Sequence, residues 1–233
     1  MDADRENPPL AVIATGTGRY GDPWHPFDET SAALASILEA DGWQVAAVAD
    51  PDIALAELQG VDLLVVNAGD PSRNVPEGLA PVPAATIEAA SAGLTEALQR
   101  GIGVLATHTS ISSLRDYPAW SEAIGGSWEP GVSWHPPIAH SAVRVVDTDH
   151  PITADARDFT LHDEMYSGLV LTSPVDVLLE HSLDGVAHPL VWTKENPTRA
   201  AVSALGHDAG AYESPELRTL IARAARWAAR REL

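Results

Sequence analysis

The chain of 233 residues is poor in two residue classes, and each scarcity excludes a type of protein. It contains no cysteine, which excludes disulfide bonds, thiolate metal ligands and a cysteine nucleophile. Its 14 Lys and Arg residues stand against 33 Asp and Glu residues, which gives a formal net charge of −19. Proteins that bind nucleic acid or an anionic membrane surface need a basic surface. We therefore expect neither partner.

Long hydrophobic runs are missing as well. No apolar segment approaches the roughly 18 residues of a membrane span. The first residues, MDADRENPPL, show no basic run followed by an apolar stretch, so no signal peptide is predicted. The hydrophobic content of 45% is typical of a globular protein. We expect a cytoplasmic protein with one domain over residues 1–233, whose core lies at about 10–229.

Apolar runs alternate with helical periodicity in the first half of the chain, which predicts an α/β fold with a mostly parallel sheet. The predicted strands there are 10–14, 43–49, 61–67 and 103–107. The predicted helices are 29–40 (with Asp28 as N-cap), 53–58 and 84–99. Short strands, some antiparallel at the sheet edge, are predicted in the second half at 143–146, 175–179, 190–193 and 200–205. A last helix is predicted over 214–230.

A glycine motif, Gly16-Thr17-Gly18-Arg19-Tyr20-Gly21, follows the first predicted strand and matches G-x-G-x-x-G. In a dinucleotide-binding fold the helix begins inside this motif, so that its N–H groups face the pyrophosphate. Here Pro23 and Pro26 intervene, and no helix can begin before about Asp28. The glycines therefore predict a tight loop rather than a nucleotide site. The loop carries His25, which we expect to project over the edge of the sheet.

The segment GIGVLATHTS (101–110) is a buried strand that ends in polar residues. Class I glutamine amidotransferases carry their nucleophile at such a strand-to-helix elbow. This chain has His108 and its polar neighbours there, so glutaminase chemistry based on a thiol is excluded. Ser110 lacks the G-x-S-x-G context of a serine nucleophile. His108 is either functional or a structural residue bonded to a neighbouring loop.

Histidine is the strongest compositional signal, with nine residues in the chain. Six of them fall at predicted strand ends or in loops: His25, His108, His135, His140, His162 and His207. Imidazole and carboxylate groups are the usual ligands of zinc or manganese where cysteine is absent, and the same groups serve as general acids and bases. We expect a divalent metal, zinc or manganese, on His108, His135 and His207, although loop histidines are often simply solvated.

Tryptophan is also over-represented, with seven residues against two phenylalanines. Trp43, Trp192 and Trp227 are predicted to fill the core. Trp24 and Trp134 lie in predicted loops, where a flat indole can stack on a sugar ring. We therefore expect these two side chains to contact a substrate.

Several segments together resemble the ThuA-like, or trehalose-utilisation, family. They are DETSAALASILEADGWQV, VDLLVVN, GVLATHTS, HPIT (150–153), FTLHDEMY (159–166), HPLVWTK (188–194) and ALGHD (204–208). The resemblance runs in order from about residue 10 to residue 229. It implies a flavodoxin-like fold of the class I glutamine amidotransferase type without the catalytic cysteine, and a role in the catabolism of trehalose or related disaccharides beside sugar dehydrogenases.

The resemblance also assigns site residues. The elbow histidine of the family falls on His108, and its D-E-x-Y and G-H-D motifs fall on 163–166 and 206–208. We therefore expect His108, Glu164 and His207 to be catalytic. The expected substrate contacts are His25, Trp24, Trp134, Asp163, Tyr166 and Asp208.

Three readings of the function follow. The first is an enzyme that removes a proton next to a carbonyl of a disaccharide or keto-sugar derivative, with a metal or histidines stabilising the enediolate. The second is a non-catalytic module that binds a sugar or a partner such as a sugar dehydrogenase. The third is a metal-dependent hydrolase of amides or esters. A homo-oligomer is compatible with each, with Trp120 and Trp128 either at a dimer contact or inside the domain.

Overall fold

Eleven strands and five α-helices make up the regular structure of residues 8–73 and 76–232, the part of the chain that this computed structural model describes. The strands are β1 (Leu10–Thr15), β2 (Gln44–Val48), β3 (Leu63–Asn67), β4 (Gly103–Thr107), β5 (Gly126–Ser127), β6 (Ala139–Val145), β7 (Phe159–Asp163), β8 (Val170–Leu171), β9 (Asp176–Leu183), β10 (Val186–Lys194) and β11 (Ala200–Ser203). The helices are α1 (Phe27–Ala40), α2 (Pro51–Ala56), α3 (Ala84–Arg100), α4 (Pro118–Ile124) and α5 (Pro215–Ala228).

Nine strands form one sheet in the order β2-β1-β3-β4-β11-β10-β9-β6-β7, and β5 pairs with β8 in a separate antiparallel ladder. The first five strands in this order, from β2 to β11, are parallel. The other four, β10, β9, β6 and β7, run antiparallel to their neighbours. The parallel part follows the flavodoxin-like order, in which ligands bind beyond the carboxyl ends of the strands. The predicted fold class is confirmed.

The parallel strands are apolar because helices cover both faces of the sheet. Every residue of β3 and β4 is buried, as expected for strands enclosed between two layers of helices. Helices α1 and α5 pack together on one face, while α2 and α3 pack on the other. Gly93 permits the α2–α3 contact, since an added Cβ would lie 2.2 Å from the carbonyl oxygen of Leu55. No helix of the described residues has the length and apolar character needed to cross a bilayer.

The structure differs from the predicted elements mainly at their boundaries. Helix α1 begins at Phe27, so Pro26 and not Asp28 is its N-cap, and the Asp28 carboxylate lies in the first turn. There it faces the positive end of the helix dipole. Strands β9 and β10 are longer than predicted because they form a hairpin around Asp184 and Gly185. The prediction missed strand β7. Polar residues that face solvent alternate with its more buried ones, so it is not a continuous apolar run.

Candidate active site

The loops that follow β1, β4, β7 and β11 meet at one edge of the sheet. They bring together three imidazoles and one carboxylate, from His25, His108, His207 and Glu164. One ligand atom from each of the four lies within 4.8 Å of the others. We call this group the His/Glu cluster. Residues separated by up to 182 positions in the chain meet here because β1, β4, β7 and β11 all end at this edge.

His108 occupies the elbow after β4 in a left-handed conformation, with φ of 42°. Its side chain is almost fully buried. The ring atom Nδ1 lies 2.8 Å from the carbonyl oxygen of Ala204, which can only accept a hydrogen bond. Nδ1 is therefore assigned the proton, and Nε2 presents a lone pair to the cluster. The predicted bond of His108 to a neighbouring loop is thus observed. Its functional role stays a prediction, with the other ring nitrogen facing the cluster.

Asp163, at the end of β7, holds two members of the cluster in place. Its buried carboxylate accepts hydrogen bonds from the backbone N–H groups of Glu164 (2.8 Å), Gly206 (2.7 Å) and His207 (3.0 Å). Gly206 has φ of 103°, and an added Cβ would lie 2.2 Å from the hydroxyl of Tyr212. The tight turn after β11 therefore requires glycine, and it aims His207 at Glu164.

The contacts inside the cluster are short. The Oε2 atom of Glu164 lies 3.4 Å from Nε2 of His108 and 3.5 Å from Nδ1 of His207. The latter two nitrogens are 3.3 Å apart. Burial raises the pKa of Glu164, but the neighbouring imidazoles of His108 and His207 lower it by more, so the net pKa is well below the usual range. The hydrogen bond with Glu164 raises the pKa of His207, and burial lowers that of His25.

The cluster is rich in acceptors and poor in protons. His25 bonds through Nδ1 to Asp22, so its Nε2 also carries a lone pair, and this buried atom has no hydrogen-bond partner among the described residues. Two imidazole lone pairs and an ionised carboxylate therefore converge, with His207 as the remaining source of a proton. Such a set fits a divalent cation, since three imidazoles and one carboxylate are ligands that zinc and manganese accept.

A cavity of about 690 Å³ opens above the cluster. Its walls combine the indoles of Trp24 and Trp128 with the hydroxyls of Thr109 and Tyr166. The Thr109 hydroxyl is buried without a hydrogen-bond partner in the described part of the chain. The Tyr166 ring stacks on His108, with centroids 4.3 Å apart. Aromatic faces beside free hydroxyl groups suit a ligand that is apolar on one face and polar at its edges.

The structure brings together most of the residues predicted from the sequence. The expected catalytic residues His108, Glu164 and His207 all belong to the His/Glu cluster, together with His25. Trp24 and Tyr166 line the cavity. The roles assigned to these residues remain predictions, but their predicted proximity is observed.

Four predicted site residues lie outside the His/Glu cluster. His135 lines the cavity, with Nδ1 3.0 Å from Oε1 of Glu164, whereas His108 lies near Oε2. The cluster contains His25 and not His135, and the ion expected on His135 stays a prediction. Trp134 is not a lining residue, because its indole packs against His188. Asp208 accepts hydrogen bonds from its own loop, and Asp163 is buried beneath the cluster.

Sequence reasoning missed Asp22 and Thr109. Asp22 precedes His25 by three residues, and its carboxylate bonds to the imidazole at 2.8 Å. The D-x-x-H spacing within the loop was a usable signal, since a short turn returns an aspartate to its own loop. Thr109 adjoins His108 in the elbow and carries no signal of its own.

Comparisons with known proteins find a matching family model and similar solved structures. A family model described as ThuA, trehalose utilisation, matches residues 12–228. A ThuA-like protein from Parabacteroides merdae is 19% identical with a TM-score of 0.77, over 95% of this chain and 90% of that one. A ThuA-like protein from Bacteroides uniformis is 17% identical with a TM-score of 0.70, over 98% and 95%.

A more distant solved structure shares the fold. A glutamine amidotransferase from Thermotoga maritima is 10% identical with a TM-score of 0.51, over 87% of this chain and 76% of that one. No match is found among curated proteins. At these identities the solved structures show the fold alone.

Proposed function

Because the chain belongs to the ThuA, or trehalose-utilisation, family, we propose that it is a metal-assisted enzyme of carbohydrate catabolism that acts on a disaccharide or keto-sugar derivative. The observation that carries the proposal is the His/Glu cluster, whose four ligand atoms lie within 4.8 Å of one another. It lies beneath the cavity of about 690 Å³, a size typical of small-molecule sites.

The proposed metal ligands are His25, His108, His207 and Glu164. Zinc or manganese is the proposed ion, since both accept nitrogen and oxygen ligands. When bound, such an ion supplies Lewis acidity that polarises a carbonyl oxygen. The protein supplies the orientation of the ligands, through the Ala204 carbonyl for His108 and through Asp163 for Glu164 and His207.

The cavity wall supports a carbohydrate as substrate. The exposed indole of Trp24 and the partly buried indole of Trp128 offer faces for a sugar ring. The Thr109 hydroxyl, which has no hydrogen-bond partner among the described residues, and the hydroxyl of Tyr166 can bond to ring hydroxyls. Burial raises the pKa of Tyr166 far above neutrality, so its hydroxyl keeps its proton and acts as a donor.

Proton removal next to a carbonyl is the proposed reaction. His135 lines the cavity, and its imidazole is 41% exposed, so it can exchange protons with solvent. Its Nδ1 atom lies 3.0 Å from Oε1 of Glu164, whereas the metal ligands occupy the other side of that carboxylate. Because the Glu164 oxygen accepts the proton on Nδ1, the lone pair on Nε2 of His135 is the proposed acceptor of a proton from a carbon of the bound sugar.

Two measurements test the proposal. Equilibrium dialysis against Zn²⁺ and Mn²⁺, followed by elemental analysis, should find one ion per chain in the unchanged protein. Glu164→Gln and His207→Gln should each reduce the affinity at least 100-fold, whereas the matched variant His140→Gln, at an exposed imidazole outside the cavity, should bind normally. Incubation of keto-disaccharides in D2O should then show deuterium at the carbon next to the carbonyl, by NMR, only with the loaded protein.

Each remaining outcome selects another function. Metal binding without deuterium uptake, but with cleavage of an amide or ester panel, would favour the hydrolase. Sugar binding without metal would favour the non-catalytic module. Absence of both metal binding and sugar binding would overturn the proposal. A sugar dehydrogenase as partner and a homo-oligomer stay predictions, to be tested by co-purification and by light scattering.

A further inference from the structure

We infer that Asp22 is the positioning residue that makes His25 a metal ligand, by fixing its proton on Nδ1 and turning the Nε2 lone pair toward the other three ligands. The inference rests on the proposed metal site and adds a requirement to it. Asp22 is a buried acid in a loop of two prolines, three residues before His25.

The geometry of the Asp22 carboxylate supports this role. Both of its oxygens lie 2.8 Å from Nδ1 of His25. The Oδ1 atom also accepts hydrogen bonds from the backbone N–H groups of Trp24 and His25, each at 2.9 Å. One carboxylate therefore closes the turn and orients the ring that the turn carries. Only 6% of the Asp22 side chain and 12% of the His25 side chain are exposed, so water competes weakly for this bond.

The consequence appears at the other nitrogen of the ring. An ionised carboxylate accepts and cannot donate, so Nδ1 of His25 holds the proton and Nε2 holds the lone pair. The Nε2 atom is buried without a partner among the described residues, and it belongs to the group of atoms within 4.8 Å. The opposite tautomer would point an N–H at the centre of that group. A carboxylate behind a ligating histidine also raises its basicity, as in carboxylate–histidine–zinc arrangements.

Gly69 allows the Asp22 loop to approach this closely. An added Cβ at Gly69 would lie 3.0 Å from Oδ2 of Asp22 and 2.9 Å from the carbonyl oxygen of Tyr20. The N–H of Gly69 donates to that same carbonyl at 2.8 Å. The segment after β3 thus supports the loop after β1, and the space beside Asp22 exists because residue 69 has no side chain.

His25 differs from its neighbour His108 in a way that makes the inference testable. The outer partner of His108 is a backbone carbonyl, which no side-chain substitution removes. The outer partner of His25 is a side chain. Asp22→Asn keeps the shape of that side chain but replaces one acceptor oxygen with an NH2 donor, so it no longer enforces one tautomer.

The experiment compares Asp22→Asn with Asp147→Asn. Asp147 is the matched control, because its Oδ1 atom also accepts backbone N–H bonds from the residues two and three positions later, Asp149 and His150, and it does not line the cavity. Co²⁺ titration, followed by visible absorption, should show affinity 10–100-fold weaker for Asp22→Asn. Asp147→Asn should match the unchanged protein. Urea unfolding of the metal-free proteins checks that each variant is folded.

A second readout needs no metal. Long-range nitrogen–proton NMR of the metal-free protein should show His25 as the tautomer protonated at Nδ1, and a mixture of tautomers in Asp22→Asn. Equal Co²⁺ affinity in Asp22→Asn, or a His25 protonated at Nε2 in the unchanged chain, would overturn the inference while leaving the metal site intact. Failure of the unchanged protein to bind Co²⁺ would overturn both.

Discussion

Two buried carboxylates in this protein, Asp52 and Glu164, have opposite surroundings. Asp52 is surrounded by donors: Arg19 donates from Nε (3.1 Å) and Nη2 (2.9 Å), and the hydroxyls of Tyr20 and Tyr117 donate at 2.6 and 2.5 Å. Glu164 lies near the imidazoles of His108 and His207, of which only His207 is placed to donate a proton. Arg19 thus gives Asp52 a permanently charged partner, whereas these neighbours of Glu164 are imidazoles.

The difference separates a structural ion pair from a candidate reaction centre. Burial and the neighbouring Asp52 raise the pKa of Tyr20 and Tyr117, so both hydroxyls remain donors at every pH at which the protein folds. The Asp52 network ties the glycine loop to α2 and to the segment before α4. It therefore supports the loop that carries Asp22 and His25. Its carboxylate already accepts hydrogen bonds from the protein and is not available to a ligand.

The largest expected effect on stability comes from removing Asp52. Asp52→Ala leaves the guanidinium of Arg19 and two buried hydroxyls without their acceptor, so the free energy of unfolding should fall by about 3–5 kcal/mol. Urea unfolding measures it. Asp116→Ala is the matched control, because Asp116 binds the same guanidinium from a side chain that is 44% exposed, and it should cost no more than about 1 kcal/mol. Equal losses in both variants would contradict the comparison.

A pair of tyrosine variants sharpens the contrast with a smaller effect. Tyr117→Phe removes one donor from the Asp52 carboxylate, so the free energy of unfolding should fall by about 1.5–3 kcal/mol. Tyr166→Phe removes a hydroxyl for which the described residues provide no hydrogen-bond partner, so stability should change little. Thermal unfolding of both proteins tests this prediction. The reverse order would mean that Tyr166 is structural and that Tyr117 is not.

The smallest expected effect is a pH dependence of the metal-free protein. The pKa of His207 is raised in the folded state by its bond with Glu164, so this bond stabilises fully below the unfolded pKa of about 6.5 and is lost as the pH rises through the folded value. Glu164 sets the acid limit, because its pKa is lowered in the folded state. Its stabilising contribution is present above about pH 4.3, the pKa in the unfolded state, and is lost as the pH falls through the pKa of the folded state.

The measurement is the difference in free energy of unfolding between the unchanged protein and Glu164→Gln, with chelator present. This difference should be largest between about pH 4.3 and 6.5 and should decline by about 1 kcal/mol toward pH 9, the order of one hydrogen bond. The same difference at every pH would show that His207 and Glu164 do not titrate as a pair.

The sequence predicted the parallel half of the sheet better than the antiparallel half. Strands β3 and β4 are buried on both faces, so they read as continuous apolar runs, and every parallel strand was predicted within a few residues. Strand β7 has a solvent-facing side and was missed. The proximity of His108, Glu164 and His207 could be predicted because strand ends and family motifs mark these residues. The presence of His25 in the His/Glu cluster, and its contact with Asp22, depend on loop conformations that no periodicity encodes.

The amino-acid sequence alone thus determined the layered α/β fold, the absence of thiol chemistry and the strand ends that carry polar side chains, since these follow from burial, composition and local propensity. Only the tertiary structure decided which ring nitrogen of His25 and His108 faces the cluster. It also decided which buried carboxylate is surrounded by hydrogen-bond donors. Those choices depend on contacts between residues far apart in the chain, such as His108 with Ala204 and Tyr117 with Asp52. Contacts of this kind are fixed by packing rather than by neighbouring residues.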